Sequence, residues 1–192
     1  MSKKIVAIAC STGGPKALQE VIPKLPKRIG APVVLVQHMP EGFTKSLADR
    51  MNDVSEIEVK EAEDGESVKS DCVYIAKAGK HLQVTYDGLN HRLALTDEDY
   101  REGVKPCANY MYESLAECRY DEVICVVLTG MGADGTAGIY ELSSKKKISV
   151  LVQDKESAVV YGMPGNIIKK GIAHKVIKLD EMANEIVKMV EG

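Results

Sequence analysis

The chain has 192 residues, 45% hydrophobic and 28% charged, with a formal net charge of -3. That length suits one domain burying roughly 70% of its unfolded surface, and that charge excludes long-range attraction to nucleic acid or an anionic membrane. Cys10, Cys72, Cys107, Cys118 and Cys125 are odd in number with no C-x-x-C pair, which argues against a disulfide framework or a zinc site. No apolar run reaches the ~18 residues of a membrane span, and no basic-then-apolar leader precedes the first strand, so the expected location is the cytoplasm without membrane insertion.

In chain order, Ile5–Cys10 is a near-continuous apolar run, as expected of a strand covered on both faces. Pro15–Leu25 then reads as a helix with Ala17, Leu18, Val21 and Ile22 on one stripe and Pro23 near its end. Val33–Val36 is a second buried strand, and Thr44–Met51 is a short helix after the His38 turn. The middle is more broken. Ile57–Ala62, Cys72–Ala76, Leu82–Tyr86 and Arg92–Leu95 are short, partly alternating segments, punctuated by Asp64-Gly65, Ala78-Gly79 and Asp87-Gly88. We read residues 57–96 as antiparallel hairpins extending the main sheet.

After Pro106 the alternation of apolar run and amphipathic segment resumes. The pattern predicts a helix over Asn109–Cys118, a buried strand over Val123–Thr129, a helix over Thr136–Ser143 and a strand over Ile148–Val152. Short helices over Lys155–Val160 and Pro164–Lys170 follow, then a strand at Val176–Ile177 and a final helix capped by Asp180 and running through Val190. The Lys145–Lys147 run reads as a solvated helix end. Such alternation predicts an α/β fold: a doubly wound, mainly parallel sheet flanked by helices.

Three of the apolar runs end on a polar residue at a turn, and the residues are Ser11, His38 and Asp134. In an open α/β sheet the carboxyl ends of the strands share one edge, where ligands and chemistry gather. A hydroxyl, an imidazole and a carboxylate there match an activated serine nucleophile, with His38 as base and Asp134 orienting it. Taken alone, Ser11 also fits a helix N-cap, or with Gly13-Gly14 a phosphate cradle. His81, His91 and His174 sit in hairpin or loop contexts as surface or local hydrogen-bonding residues. Gly130, Gly132 and Gly135 spell G-x-G-x-x-G after a strand and before a helix, with Asp154 at about the ~20-residue spacing of a ribose-binding acid. Dinucleotide binding is therefore the rival reading; it leaves the Ser11 and His38 turns unexplained.

These residues resemble the catalytic domain of the CheB family, the chemotaxis receptor methylesterases and glutamine deamidases. The similarity rests on Ser11–Gly14, Gln37–Pro40 with Gly42–Thr44, Tyr74–Ala76 with Lys80-His81, Leu128–Gly135, and Gln153-Asp154 with Ser157, Val159 and Gly162–Gly165. The resemblance implies that Ser11, His38 and Asp134 are the catalytic triad, that Thr12 helps position His38, and that the main-chain N–H of Met131 contributes to an oxyanion site. It implies hydrolysis of γ-glutamyl methyl esters, with deamidation of glutamines, and no organic cofactor or metal. The implied partners are the cytoplasmic domain of a methyl-accepting chemoreceptor and a separate receiver or regulatory protein, since residues 1–192 read as a single catalytic domain without the receiver domain usual in the family. A silent receptor-binding module is the third reading. The family's Arg-Pro-Ser-Val-Asp segment reads Lys105-Pro-Cys-Ala-Asn109 here, a departure expected to act on the substrate groove.

Overall fold

The computed structural model describes residues 3–192. In chain order the elements are β1 (Lys4–Cys10), α1 (Gly14–Val21) continued by a 3-10 turn at Ile22–Lys24, β2 (Val33–Gln37), α2 (Thr44–Val54), β3 (Glu58–Glu61) and β4 (Cys72–Ile75). They are followed by β5 (His81–Tyr86), β6 (His91–Thr96), α3 (Ala108–Ser114), β7 (Glu122–Val127), α4 (Thr136–Ser143), β8 (Ile148–Gln153), α5 (Gly162–Lys170), β9 (Lys175–Ile177) and α6 (Leu179–Glu191). Seven strands form one sheet in the order β3-β4-β2-β1-β7-β8-β9, and each adjacent pair is parallel. The sheet, flanked by helices on both faces, bears out the doubly wound α/β expectation.

The near-continuous apolar runs are explained by two cores, one on each side of the sheet. From β1, Val6, Ile8 and Cys10 pack with α1, α2 and α6 through Leu18, Val21, Leu47, Met51 and Ile186. The alternate residues Ile5, Ala7 and Ala9 face α3, α4 and α5, and meet Met111, Tyr112, Ile139, Met163 and Ile167. A strand whose odd and even positions are both buried must be apolar throughout. The one charged residue inside β1, Lys4, is only 7% exposed, donates to Met189 O at 2.6 Å and lies 3.8 Å from Glu122.

The middle region departs from the sequence reading. Only β5 and β6 form an antiparallel hairpin, and they make a separate two-stranded sheet. β3 and β4 instead join the main sheet in parallel, with Glu58 opposite Cys72 and Glu61 opposite Ile75. The cause lies in the connection: Gly65 and Val68 donate backbone hydrogen bonds to Leu93 and His91, and Leu93 N returns one to Glu66 O. Residues 62–71 are thus carried back along β6, so β4 starts at the same end as β3. Two smaller expectations also fail. Residues 155–160 form turns rather than a helix, with the Ser157 hydroxyl and N–H satisfied by Asp154 and the Gln153 amide. Asp180 lies inside the first turn of α6, whose N-cap is Lys178.

The chain runs from β1 out to one edge, then returns at β7 on the other side of β1. The carboxyl ends of β1 and β7 therefore flank the point where the winding reverses, the usual crevice of an open α/β sheet. Ser11 follows β1 and the Gly130–Asp134 loop follows β7.

Candidate active site

Ser11 and His38 are brought together by strand register. β1 and β2 pair in parallel with Cys10 opposite Gln37 as the last rung, so Ser11 and His38 are the first residues beyond the ends of two adjacent strands. His38 N donates to Cys10 O at 3.2 Å and Ser11 N to Thr129 O at 3.0 Å, which ties both turns to the sheet edge. The alternation that sends Ala7 and Ala9 toward α3 assigns Ser11 to the same face, as Val34 and Val36 do for His38. Ser11 packs directly on Gly130, where an added Cβ would stand 2.9 Å from the Ser11 Cβ.

Asp134 completes the group from the other side of β1. It is 2% exposed, and its Oδ2 lies 2.6 Å from His38 Nε2. The carboxylate also accepts N–H bonds from Ala108 at 2.6 Å and Asn109 at 3.0 Å, and the Cys107 thiol lies 3.0 Å from Oδ1. Burial pushes this carboxyl upward, but the hydrogen bonds from His38, Ala108 and Cys107 outweigh it, and Asp134 is held below the ordinary carboxylate range. An ionised Asp134 is an acceptor only, so the His38 contact assigns the proton to Nε2 and leaves Nδ1 as the ring's basic nitrogen.

The remaining predicted residues lie on the same edge. Met131 follows Gly130 with its side chain 71% exposed, and its N–H finds no acceptor among the described residues. Thr12 is exposed; Thr129 donates to its carbonyl at 2.9 Å, while its hydroxyl makes no hydrogen bond to His38. A cleft of about 340 Å³ opens beside His38, lined by Pro40, Glu41, Tyr100, Val104 and Lys105. Another, of about 410 Å³ along α3 and α4 by Arg101, Glu113 and Leu142, contains no member of the trio. Among the described residues no group of three or more His, Cys, Asp or Glu is arranged to hold a metal ion.

The glycine-rich loop is packed against protein at Gly130, while Gly132 faces open space. A Cβ on Gly130 would stand 2.3 Å from Met163 Sδ, and one on Gly162 would stand 2.9 Å from Gly130 O and Gly132 N. Asp154 is engaged with Ser157. Gly130 and Gly162 thus bring Ser11 and α5 against the Asp134 loop, where the dinucleotide reading would need open backbone at Gly130.

A family model described as CheB methylesterase matches residues 6–186. The chain belongs to the CheB methylesterase family. It is 46% identical over 189 residues to the protein-glutamate methylesterase/protein-glutamine glutaminase of Bacillus subtilis (strain 168), covering 98% of this chain and 53% of that relative. A protein of the same name from Thermotoga maritima is 43% identical over 190 residues, 99% of this chain and 55% of the relative. The chain thus spans about half the length of the curated relatives it matches. The crystal structure of the Thermotoga maritima CheB methylesterase catalytic domain superposes with a TM-score of 0.94 at 43% identity, covering 98% of this chain and all of that one. The parallel sheet, the separate hairpin and the helical layers are therefore the CheB catalytic-domain fold.

Within this CheB fold two residues of the quoted motifs take positioning roles that sequence reasoning did not assign. Gln37, 2% exposed, donates from Nε2 to Ser11 O at 3.0 Å and to His38 O at 2.9 Å, and accepts from the Cys10 thiol. It staples the two turns together, and a Cβ on Gly14 would strike its Oε1 at 1.8 Å. The available signal was a polar residue closing a wholly apolar strand. Asn109 accepts the N–H groups of Gly135 and Gly138 on Oδ1, at 3.0 and 2.8 Å, and so fixes the loop that carries Asp134. The Lys105–Asn109 segment thereby acts mainly on the carboxylate; only Lys105 lines the cleft. His81 and His91 are buried rather than at the surface, and each accepts a hydrogen bond from a distant segment, from Cys107 N and Arg119 N respectively. Lys146 caps the carbonyls of Cys118 and Tyr120, so part of the lysine run is structural.

Proposed function

We propose that this chain hydrolyses glutamate γ-methyl esters through Ser11, His38 and Asp134, and releases ammonia from glutamine side chains by the same route. The activity named for its relatives supports the substrate class. The single observation that carries the assignment is His38 Nε2 held 2.6 Å from a buried, ionised Asp134, with Ser11 leaving the adjacent strand end.

In this reading Nδ1 of His38 takes the Ser11 hydroxyl proton as Oγ attacks the ester carbonyl carbon. The tetrahedral intermediate carries its negative charge on the former carbonyl oxygen, which the Met131 N–H receives. The C–OCH₃ bond breaks as His38 returns the proton to methanol, leaving a glutamyl ester on Ser11. Water, deprotonated by His38, attacks that ester, and Ser11 leaves with the proton, freeing glutamate. Asp134 remains ionised and stabilises the imidazolium at each transfer. A methyl ester offers little to grip, so the residues flanking the reacting glutamate provide specificity. Exposed Tyr100, Met131 and Val159 and the cleft beside His38 are the surfaces for them. The family to which the chain belongs supports a cytoplasmic chemoreceptor domain as that partner.

Ser11→Ala is expected to lower kcat by roughly 10⁴–10⁶-fold without loss of fold. Methanol release from a methyl-esterified receptor domain measures it, with labelling of Ser11 by a fluorophosphonate as the direct check on the nucleophile. Near-wild-type methanol release by Ser11→Ala would overturn the mechanism. An unlabelled wild-type chain without turnover would favour the silent module.

A further inference from the structure

Asp134 is held by four donors, and one of them is a side chain that the reaction above does not use. His38 Nε2 and Ala108 N address Oδ2; Asn109 N and Cys107 Sγ address Oδ1 at 3.0 Å. The two backbone donors would be present whatever residues stood at 108 and 109, whereas the fourth belongs to this sequence. Cys107 is fully buried and is fixed from behind: its own N–H donates to His81 Nδ1 at 3.0 Å, and His81 Nε2 lies 3.0 Å from Asp99 O. Burial, then the Asp134 charge, push the thiol far above its ordinary range, so it stays S–H and faces the carboxylate as a donor.

We propose that Cys107 is a positioning residue of this site, its S–H fixing Oδ1 of Asp134 so that Oδ2 faces His38, and so setting the pH at which His38 serves as base. The inference rests on the Ser11–His38–Asp134 reading. A donor on Oδ1 drains charge from the carboxylate and weakens its hold on the imidazolium. The stronger the donor, the lower the pH at which the neutral ring is recovered. A thiol is a weak donor, a serine hydroxyl a stronger one and a methyl none. The other charged and titratable groups around the centre are His81 of β5, Tyr110 and Tyr112 of α3, Arg101 before α3, and Glu41 and Lys105 along the cleft. Arg101 is engaged in a two-pronged pair with Glu113, and His81 packs on Tyr110 at 4.6 Å. Tyr112 turns its hydroxyl to Ala7 O and Val126 O, so among the described residues none of these hydrogen-bonds the carboxylate.

The test follows the rate of Ser11 phosphonylation by a fluorophosphonate against pH in the full chain, which needs no receptor. The acid limb is expected at lowest pH in Cys107→Ser, next in the wild type and highest in Cys107→Ala, with steps of about half a unit. The rate at a fixed pH on the acid limb is expected to fall by up to about threefold in Cys107→Ala and to be restored in Cys107→Ser. A space-filling role would lower stability in both variants without ordering the limbs. Superimposable profiles for folded Cys107→Ala and wild type overturn the proposal; if Cys107→Ala does not fold, unshifted limbs in Cys107→Ser do so. Labelling elsewhere than Ser11 defeats the triad reading and the thiol's role with it. Labelled Ser11 with unshifted limbs defeats only the thiol.

Discussion

An imidazole with almost no access to water behaves according to what faces its nitrogens, and His91 is the clearest case. It is 5% exposed, stacks on Tyr120 at 4.1 Å and accepts the Arg119 N–H on Nε2 at 3.0 Å. Burial, reinforced by Lys3 and Lys146, pushes it down from 6.5 to about 4. The folded value lies below the unfolded one, so as pH falls the unfolded chain takes up the proton first. The stability carried by neutral His91 is complete above about pH 6.5 and drains away as the pH drops toward 4. The melting temperature should fall over that window, and His91→Gln, which can still accept the Arg119 N–H, should flatten the slope. Calorimetry at pH 7, 5.5 and 4.5 measures it; a variant slope equal to the wild type's would place the proton uptake elsewhere. Nothing in the local sequence distinguished His91 from an ordinary hairpin histidine, because its burial comes from Tyr120 and the segment before β7.

At the scale of elements the decisive contact is the crossing of α3 and α4. A Cβ on Gly138 of α4 would stand 2.7 Å from both Cα and O of Asn109, a backbone neighbour that cannot swing aside. This near contact lets Asn109 Oδ1 reach the N–H groups of Gly135 and Gly138, although its own Nδ2 is buried with no partner among the described residues. Gly138→Ala should therefore cost about 1–3 kcal/mol from overpacking. Because Asn109 N also holds Asp134, it should lower kcat/KM even at temperatures where the chain stays folded. Chemical denaturation and ester hydrolysis measured on the same sample test the two effects together; full stability would show that the helices separate without strain. The helices themselves were legible from their apolar stripes, whereas this glycine reads in sequence as one more small residue in a glycine-rich stretch. The same limit explains β3 and β4. Short alternating strands identify themselves as strands, but their partner and direction depend on residues 62–71 pairing with β6.

Across the whole molecule, the central strands carry both cores and the edges carry little. β1, β2 and β7 are buried along their full lengths, while β9 is largely exposed and β3 is half so. Backbone amides of β1 and β7 should open only on global unfolding and exchange slowest with deuterium; those of β9 should exchange through local opening. Protection in β9 equal to that in β1 would mean that the edge is covered in solution. The candidate site is built on the protected part: Ser11 and the Asp134 loop extend from the two central strands and His38 from their immediate neighbour.

Read along the chain, the residues already specify that strands and helices alternate, that the sheet is buried on both faces, and that Ser11, His38 and Asp134 follow strand ends. Those properties follow from local hydrophobic periodicity and from turn residues, and each is complete within about ten neighbouring positions. It takes the assembled fold to set which strands are parallel neighbours, which imidazole nitrogen meets the carboxylate, and that Cys107, Ala108 and Asn109 form its seat. These are hydrogen bonds and close approaches between segments distant in the chain, and such contacts leave no period in the sequence from which they could be read.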